Sequence, residues 1–117
     1  MTVKAITRID QLIGNTPLVK LNVSDKANVY GKLEKQNPGG SVKDRIAKAI
    51  IDDGIAKGRI NKDTLIIEST SGNTGVGLAM IGAAYGLKVI IFMPKSMSVE
   101  RRKLIQAYGA ELRLVDG

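Results

Sequence analysis

The regular alternation of strand-like and helix-like segments after residue 64 constrains the fold more than any other feature of the chain. Runs suited to strands occur at residues 65–67, 88–93 and 111–115, and segments with helical spacing at 76–85 and 99–108 separate them. Near-continuous apolar strands joined through helices are typical of a parallel sheet, because each crossover lays a helix on the sheet. The sequence therefore predicts an α/β fold, with a three-layer open parallel sheet and helices on both faces.

The first part of the chain predicts a β-hairpin ahead of this sheet. Residues 9–13 are expected to form one short helical turn, which glycine and proline end. Strand-like runs at 18–21 and 29–33 flank a polar link, a pattern typical of a hairpin with a longer loop. A helix is then expected from Ser41 to residue 54 or 58, where glycines occur.

A turn that leads directly into this helix places a lysine in the first helical turn. The segment is Asn37-Pro-Gly-Gly-Ser-Val-Lys-Asp-Arg45, and its Pro-Gly-Gly sequence is strong turn chemistry. Ser41 suits the N-cap position, and Ser41-x-x-Asp44 fits the capping-box pattern. Lys43 is then the second helical residue, at the positive end of the helix dipole, which disfavours a cation by roughly 0.3–1 kcal/mol.

This position is expected to make Lys43 a nucleophile. The field of the helix lowers the pKa of the amine from its reference of about 10.4, and burial would lower that pKa further. A neutral lysine forms Schiff bases with carbonyl compounds, of which pyridoxal phosphate is a common example. The alternative is an ordinary surface lysine at the start of a helix.

A second motif, Thr70-Ser-Gly-Asn-Thr-Gly75, follows a predicted strand and opens a helix. Open α/β sheets bind ligands at this position, and backbone N–H groups, hydroxyls and an amide converge there in a way that suits a carboxylate or a phosphate. The glycine spacing is not that of a dinucleotide-binding fingerprint. The alternative is a loop whose serine and threonine residues only cap the helix.

The composition narrows the chemistry that is open to the chain. Its 117 residues can build one modest core, and the absence of cysteine and histidine excludes disulfides, thiolate chemistry and the commonest acid–base catalyst. The net charge of +7 raises the question of nucleic-acid binding, but the four aromatic residues are scattered and form no stacking platform. The first residues lack the apolar run of a secretory signal, so we expect a cytoplasmic protein.

Together the two motifs resemble the signatures of the fold type II (β-family) pyridoxal-phosphate enzymes. Two further segments, Ile13-Gly-Asn-Thr-Pro-Leu-Val19 and Met97-Ser-Val-Glu-Arg-Arg-Lys-Leu104, narrow the resemblance to the cysteine synthases, also called O-acetylserine sulfhydrylases. The match runs from about Ile6 to the last residue. It implies that pyridoxal 5'-phosphate is the cofactor and that the reaction replaces the acetate of O-acetylserine by sulfide.

The resemblance also implies roles for individual residues. Lys43 matches the lysine that carries the cofactor and later removes the substrate Cα proton. Asn73 matches the asparagine that is hydrogen-bonded to the 3-oxygen of the cofactor. Four loop residues match those that bind the substrate α-carboxylate: Thr70, Ser71, Asn73 and Thr74. Ser69 stands where the family often has proline, a departure from which we expect a small effect.

The resemblance further implies that this sequence is an N-terminal portion. In the family, the residues that bind the cofactor phosphate and pyridine nitrogen lie in a later half, so we expect the 117-residue chain alone to be inactive. Residues 1–34, the turn and hairpin, are expected to pack on the absent C-terminal domain. Residues 35–117 are expected to form an incomplete α/β domain that carries the lysine and the substrate loop.

The family also implies partners, and two alternatives stay open. A homodimer is expected, and the C-terminal tail of serine acetyltransferase is a candidate partner. One alternative is an enzyme similar to cystathionine β-synthase, although the Glu-Arg-Arg-Lys run at 100–103 favours cysteine synthase. The other is a non-catalytic fragment or binding module.

Overall fold

The computed structural model describes residue 3 and residues 5–117, so residues 1, 2 and 4 of the expected first part lie outside the described residues. The elements in chain order are a 3₁₀ turn (Ile9–Leu12), β1 (Leu18–Leu21), β2 (Val29–Lys32), a second 3₁₀ turn (Glu34–Gln36), α1 (Lys43–Ala56), β3 (Leu65–Ser69), α2 (Asn73–Tyr85), β4 (Lys88–Pro94), α3 (Val99–Ala107) and β5 (Glu111–Val115). Among these helices, none has the length and apolar character needed to cross a membrane.

The predicted hairpin is confirmed. β1 and β2 pair antiparallel, with Leu18 opposite Lys32 and Leu21 opposite Val29. All four residues of β1 are exposed. The hairpin therefore contributes little to the core of the described structure.

The parallel sheet is confirmed as well. Its strand order is β3-β4-β5, with Ile67 opposite Ile90 and Ile91 opposite Leu112. Consecutive strands of this sheet are spatial neighbours, and a helix joins each strand to the next. This order brings the loops after β3 and β4 to the same edge of the sheet.

The core lies between one face of the sheet and the helices. Ile91 and Met93 of β4 are fully buried, as are Met80 and Ile81 of α2. On the opposite face, Ile67 is 58% exposed and its strand neighbour Leu65 is 46% exposed. The described residues thus supply the helical layer on one face, and the second layer expected from the sequence would cover Leu65 and Ile67.

A polar network joins the first 3₁₀ turn to α1 and α2. Asp10 is 2% exposed, and its carboxylate accepts hydrogen bonds from Lys48 (3.1 Å), from Tyr85 (3.2 Å) and from Arg8 (2.9 Å). Burial raises the pKa of Asp10, but the bonds from Lys48 and Arg8 outweigh burial and lower it. The network fixes the N-terminal turn against both helices.

Candidate active site

Lys43 is the first residue of α1, so its amine lies in the first helical turn as the sequence predicts. Its side chain is exposed, so burial does not act on its amine. Its backbone oxygen lies 3.2 Å from the position that a Cβ on Gly77 would occupy. The start of α1 therefore packs against the first turns of α2, the helix that begins with Asn73.

The predicted capping box is wrong. Val42, with φ −60° and ψ −20°, already has helical geometry, and the Ser41 hydroxyl accepts a hydrogen bond from the Lys43 amide at 3.1 Å. The Asp44 carboxylate accepts from the amide of Gly39 at 2.5 Å. The turn is tight enough for Asp44 to reach back past Ser41, so it stabilises the turn rather than the N-cap residue.

Asp44 is fully buried beneath this turn. Its Oδ1 has no hydrogen-bond partner among the described residues. Burial raises the pKa of Asp44, an effect that the Gly39 amide opposes and the nearby Glu34 charge reinforces. A Cβ on Gly39 would collide with the Asp44 carboxylate, and Gly40 has φ +90°, so the turn needs a glycine at each position for a different reason.

A second carboxylate, Glu34, joins the segments on both sides of the turn. Arg45 donates two hydrogen bonds to the Glu34 carboxylate, at 2.8 and 2.9 Å. The pKa of Glu34 falls to about 2, chiefly through the bonds from Arg45 and Thr16. Asn37 donates to both a backbone and a carboxylate oxygen of Glu34, each at 2.9 Å. We call this group the Glu34 cluster; its members are Thr16, Glu34, Asn37 and Arg45.

The loop between β3 and α2 presents backbone donors. Thr70 donates its amide to the oxygen of Phe92 at 3.0 Å, and its hydroxyl accepts from the Gly72 amide at 3.2 Å. Among the described residues, no side chain caps α2, whose preceding residue is Gly72. The alternative of a loop whose side chains cap the helix is therefore not supported. The Gly75 amide donates to the Gly72 oxygen at 3.1 Å, and N–H groups at the start of a helix favour a bound anion.

The remaining predicted loop residues lie along the same segment. Ser71 and Asn73 are exposed, and Thr70 and Thr74 are half-buried. Lys43 lies at the start of α1 and the loop at the start of α2, and these two helices pack together. The structure thus brings the predicted lysine and the predicted loop to one end of the helix pair.

Arg101 also lies at this end, and sequence reasoning missed it. Its guanidinium carbon is 3.7 Å from the position of a Cβ on Gly72, in the middle of the loop. Ser98 caps α3 by accepting from the Arg101 amide at 3.5 Å, which places Arg101 in the first turn after β4. Arg101 could have been found from the sequence, because neighbouring parallel strands end at the same edge of a sheet. The residues after β4 therefore lie beside the loop after β3.

This end of the molecule combines an exposed amine with the N–H groups at the start of α2 and the Arg101 guanidinium. An amine can condense with an aldehyde, and helix N–H groups beside a guanidinium attract a carboxylate. A molecule that carries a carbonyl-derived group and a carboxylate close together would be held by both features. Amino acids bound through an aldehyde cofactor have this chemistry.

Comparisons with known proteins agree with this geometry. The family described as "Pyridoxal-phosphate dependent enzyme" matches residues 9–117. A cysteine synthase of Flavobacterium sp. is 58% identical over 89% of this chain and 34% of its own length, and a Staphylococcus aureus cysteine synthase is 56% identical over 100% of this chain and 39% of its own length. The chain therefore spans little more than a third of these curated relatives.

A solved structure gives the same result. The crystal structure of a hydrogen sulfide-producing enzyme from Fusobacterium nucleatum is 52% identical and superposes with a TM-score of 0.91, over 98% of this chain and 39% of that one. The likeness covers the hairpin, the sheet and the helices that carry the site. With the family match over nearly the whole sequence, these observations show that the chain belongs to the pyridoxal-phosphate dependent enzyme family.

Proposed function

We propose that the protein is a cysteine synthase, which converts O-acetyl-L-serine and sulfide into L-cysteine and acetate. The relatives named cysteine synthase support this substrate class. The observation that carries the proposal is the packing of Lys43, at the start of α1, against the helix that opens with the uncapped loop. That packing supports a site in which the Lys43 amine and the loop act on the same amino acid.

The residues present fit a pyridoxal-phosphate cofactor. Lys43 is exposed, so its amine is accessible to an aldehyde. Asn73 lies at the start of the adjoining helix, where its side-chain amide would donate to the 3-oxygen of the cofactor. When bound, pyridoxal phosphate supplies an aldehyde and an electron sink for the substrate Cα. Lys43 and Asn73 would hold it from this chain.

The chain's own residues then have two tasks. The Lys43 amine would hold the cofactor and would take the proton from the substrate Cα. The loop residues bind the substrate α-carboxylate through the N–H groups of α2 and their side chains: Thr70, Ser71, Asn73 and Thr74. Arg101 adds a positive charge beside Gly72, which strengthens the hold on that carboxylate.

We also propose how the piece fits into the protein. Residues 1–34 are proposed to pack on a C-terminal domain, which the exposed residues of β1 support. Residues 35–117 are proposed to form the domain that carries the lysine and the loop. A cytoplasmic homodimer and an interaction with the tail of serine acetyltransferase follow from the resemblance alone.

The test is reductive labelling of the full-length protein with pyridoxal phosphate and borohydride, followed by peptide mapping. We expect the label on Lys43, and we expect Lys43→Ala to lose both the label and turnover of O-acetylserine. Lys57→Ala is the matched control, because Lys57 lies just beyond the opposite end of α1 in an exposed ion pair with Asp53. A label on another lysine would refute the proposal.

A further inference from the structure

We propose that Glu34 is a positioning residue for Lys43, which it fixes by holding the backbone on both sides of it. This inference rests on the proposed function, in which Lys43 must meet an aldehyde in a defined geometry. Glu34 itself lies on the second 3₁₀ turn, and its carboxylate accepts hydrogen bonds from Thr16, Asn37 and Arg45.

The first hold lies after Lys43. Arg45 donates from Nε to Oε2 of Glu34 at 2.8 Å and from Nη2 to Oε1 at 2.9 Å. Two parallel bonds between a guanidinium and a carboxylate define both distance and orientation, unlike the single contact of an ammonium. The first turn of α1 is therefore tied to Glu34 in one orientation.

The second hold lies before Lys43. The Asn37 amide nitrogen donates to the backbone oxygen and to Oε2 of Glu34, each at 2.9 Å. Asn37 is 3% exposed, and its oxygen accepts from the Gly14 amide at 2.9 Å, so it cannot easily exchange these partners for water. The start of the turn is therefore fixed to the same carboxylate.

The N-terminal segment completes the cluster. The Thr16 hydroxyl donates to Oε1 of Glu34 at 2.6 Å and lies 3.3 Å from Nη2 of Arg45. Thr16 is 6% exposed, so this side of the cluster is shielded from water. Glu34 thus connects the loop at 14–16, which is more distant in sequence, to the turn at 37–41 and to the start of α1.

Because Lys43 is exposed, the backbone around it has to determine the position of its amine. Because its side chain is exposed, it is not held by packing, and its position depends on where the turn and the helix place its Cα. Between these two contacts, Gly40 has φ +90°, and its amide donates to the Asn37 backbone oxygen at 2.8 Å, so the turn is closed on the residue that Glu34 binds. Fixing both ends of the turn to one carboxylate restricts the amine to one region.

The test compares the Glu34→Gln variant of the full-length protein with the wild-type protein. Glutamine keeps the shape of the side chain, but in either orientation its NH₂ group faces one of the two Arg45 donors, so the two-bond contact with Arg45 is lost. We expect the rate of Lys43 labelling by pyridoxal phosphate and borohydride to fall by about tenfold or more, since a misplacement of about 1 Å can cost about 100-fold in rate. Amide hydrogen exchange at residues 39–45 should also become faster.

Further variants separate positioning from general stability. Asp53→Asn makes the same carboxylate-to-amide change on α1, where Asp53 pairs with Lys57 and Arg59 away from the turn, and should change neither readout. Arg45→Lys keeps the charge but loses the two-bond geometry, and should give an intermediate labelling rate if orientation matters. In the loaded enzyme, Glu34→Gln should lower kcat more than it raises KM, because the substrate loop is untouched.

The outcomes distinguish this inference from the function on which it rests. If wild-type Lys43 is not labelled, the proposed function fails. If wild-type Lys43 is labelled and Glu34→Gln is labelled at the same rate with unchanged exchange, the positioning role is refuted and the proposed function stands. A Glu34→Gln variant that does not fold leaves the decision to Arg45→Lys, whose wild-type labelling rate would equally refute the role.

Discussion

At the scale of single residues, two neighbouring carboxylates respond to the fold in opposite ways. Glu34 accepts bonds from Arg45 and Thr16, and its pKa falls from 4.5 to about 2. Asp44 is fully buried with one unpartnered oxygen, and burial raises its pKa. Hydrogen-bond donors beside a carboxylate favour its charged form, whereas desolvation disfavours that form.

These shifts predict how stability depends on pH. The charged form of Glu34 stabilises the fold fully above pH 4.5, and this contribution is lost as the pH falls toward about 2. We expect Glu34→Gln to flatten the decrease in unfolding free energy across that window, measured by urea denaturation at a series of pH values. An unchanged pH profile in the variant would contradict the assignment.

Asp44 supplies the opposite control. Because its pKa is raised, its charge costs stability at neutral pH, and that cost is relieved as the pH falls. Asp44→Asn keeps an acceptor for the Gly39 amide, but it has no buried charge for acid to neutralise. Stability should therefore decrease more steeply on acidification in Asp44→Asn than in wild type, the reverse of Glu34→Gln.

At the scale of elements, the contact between α1 and α2 depends on the lack of a side chain at Gly77. A Cβ there would lie 3.1 Å from the Cβ of Ala47 and 3.2 Å from the backbone oxygen of Lys43. Small residues allow helices to approach closely, and added atoms in a filled contact force a shift. The position of Lys43 relative to α2 is therefore set by this contact.

Gly77→Ala tests the contact. We expect a loss of about 1–3 kcal/mol in unfolding free energy from overpacking, together with slower labelling of Lys43 because the start of α1 is displaced. Ala83→Ser adds one heavy atom to an exposed position of the same helix and should leave the labelling rate unchanged. Normal stability and labelling in Gly77→Ala would show that the helices adjust without moving the lysine.

At the scale of the whole molecule, the described chain is more extended than its length requires. Its radius of gyration is 16.7 Å, whereas about 13 Å is typical of a compact domain with 117 residues. Leu18 of the hairpin is 63% exposed and Ile67 of the sheet is 58% exposed. Apolar side chains on a hairpin and on an uncovered sheet face favour packing against another surface.

We therefore predict that the 117-residue polypeptide, expressed alone, self-associates and has little turnover. Sedimentation velocity should show species larger than the monomer, and Leu18→Lys combined with Ile67→Lys should shift the distribution toward monomer. Asn22→Lys combined with Gln106→Lys adds the same charge at exposed polar positions and should have little effect. A monomeric wild-type polypeptide with full activity would contradict the prediction.

The sequence by itself determined the elements and their order. The bounds of β1 and β5, and those of β4 to within one residue, follow local patterns, because apolar spacing, glycine and proline act over a few residues. α2 begins at Asn73, three residues before the predicted start, because its first turn carries polar residues and glycine instead of apolar spacing. The same local patterns placed Lys43 and the loop at 70–75 at the starts of helices. These motifs occur in the same order as in the pyridoxal-phosphate dependent enzymes, and this order indicated the family.

Only the tertiary structure decided which side chains meet across the fold. Asp44 binds Gly39 instead of capping Ser41, Arg101 reaches the loop around Gly72, and Glu34 joins Thr16 to Arg45. These contacts depend on how the turn, the helices and the strand ends are arranged in space, and no local periodicity encodes that arrangement. The chemistry of the site is therefore readable from short motifs, whereas its geometry follows from packing between segments that are distant in sequence.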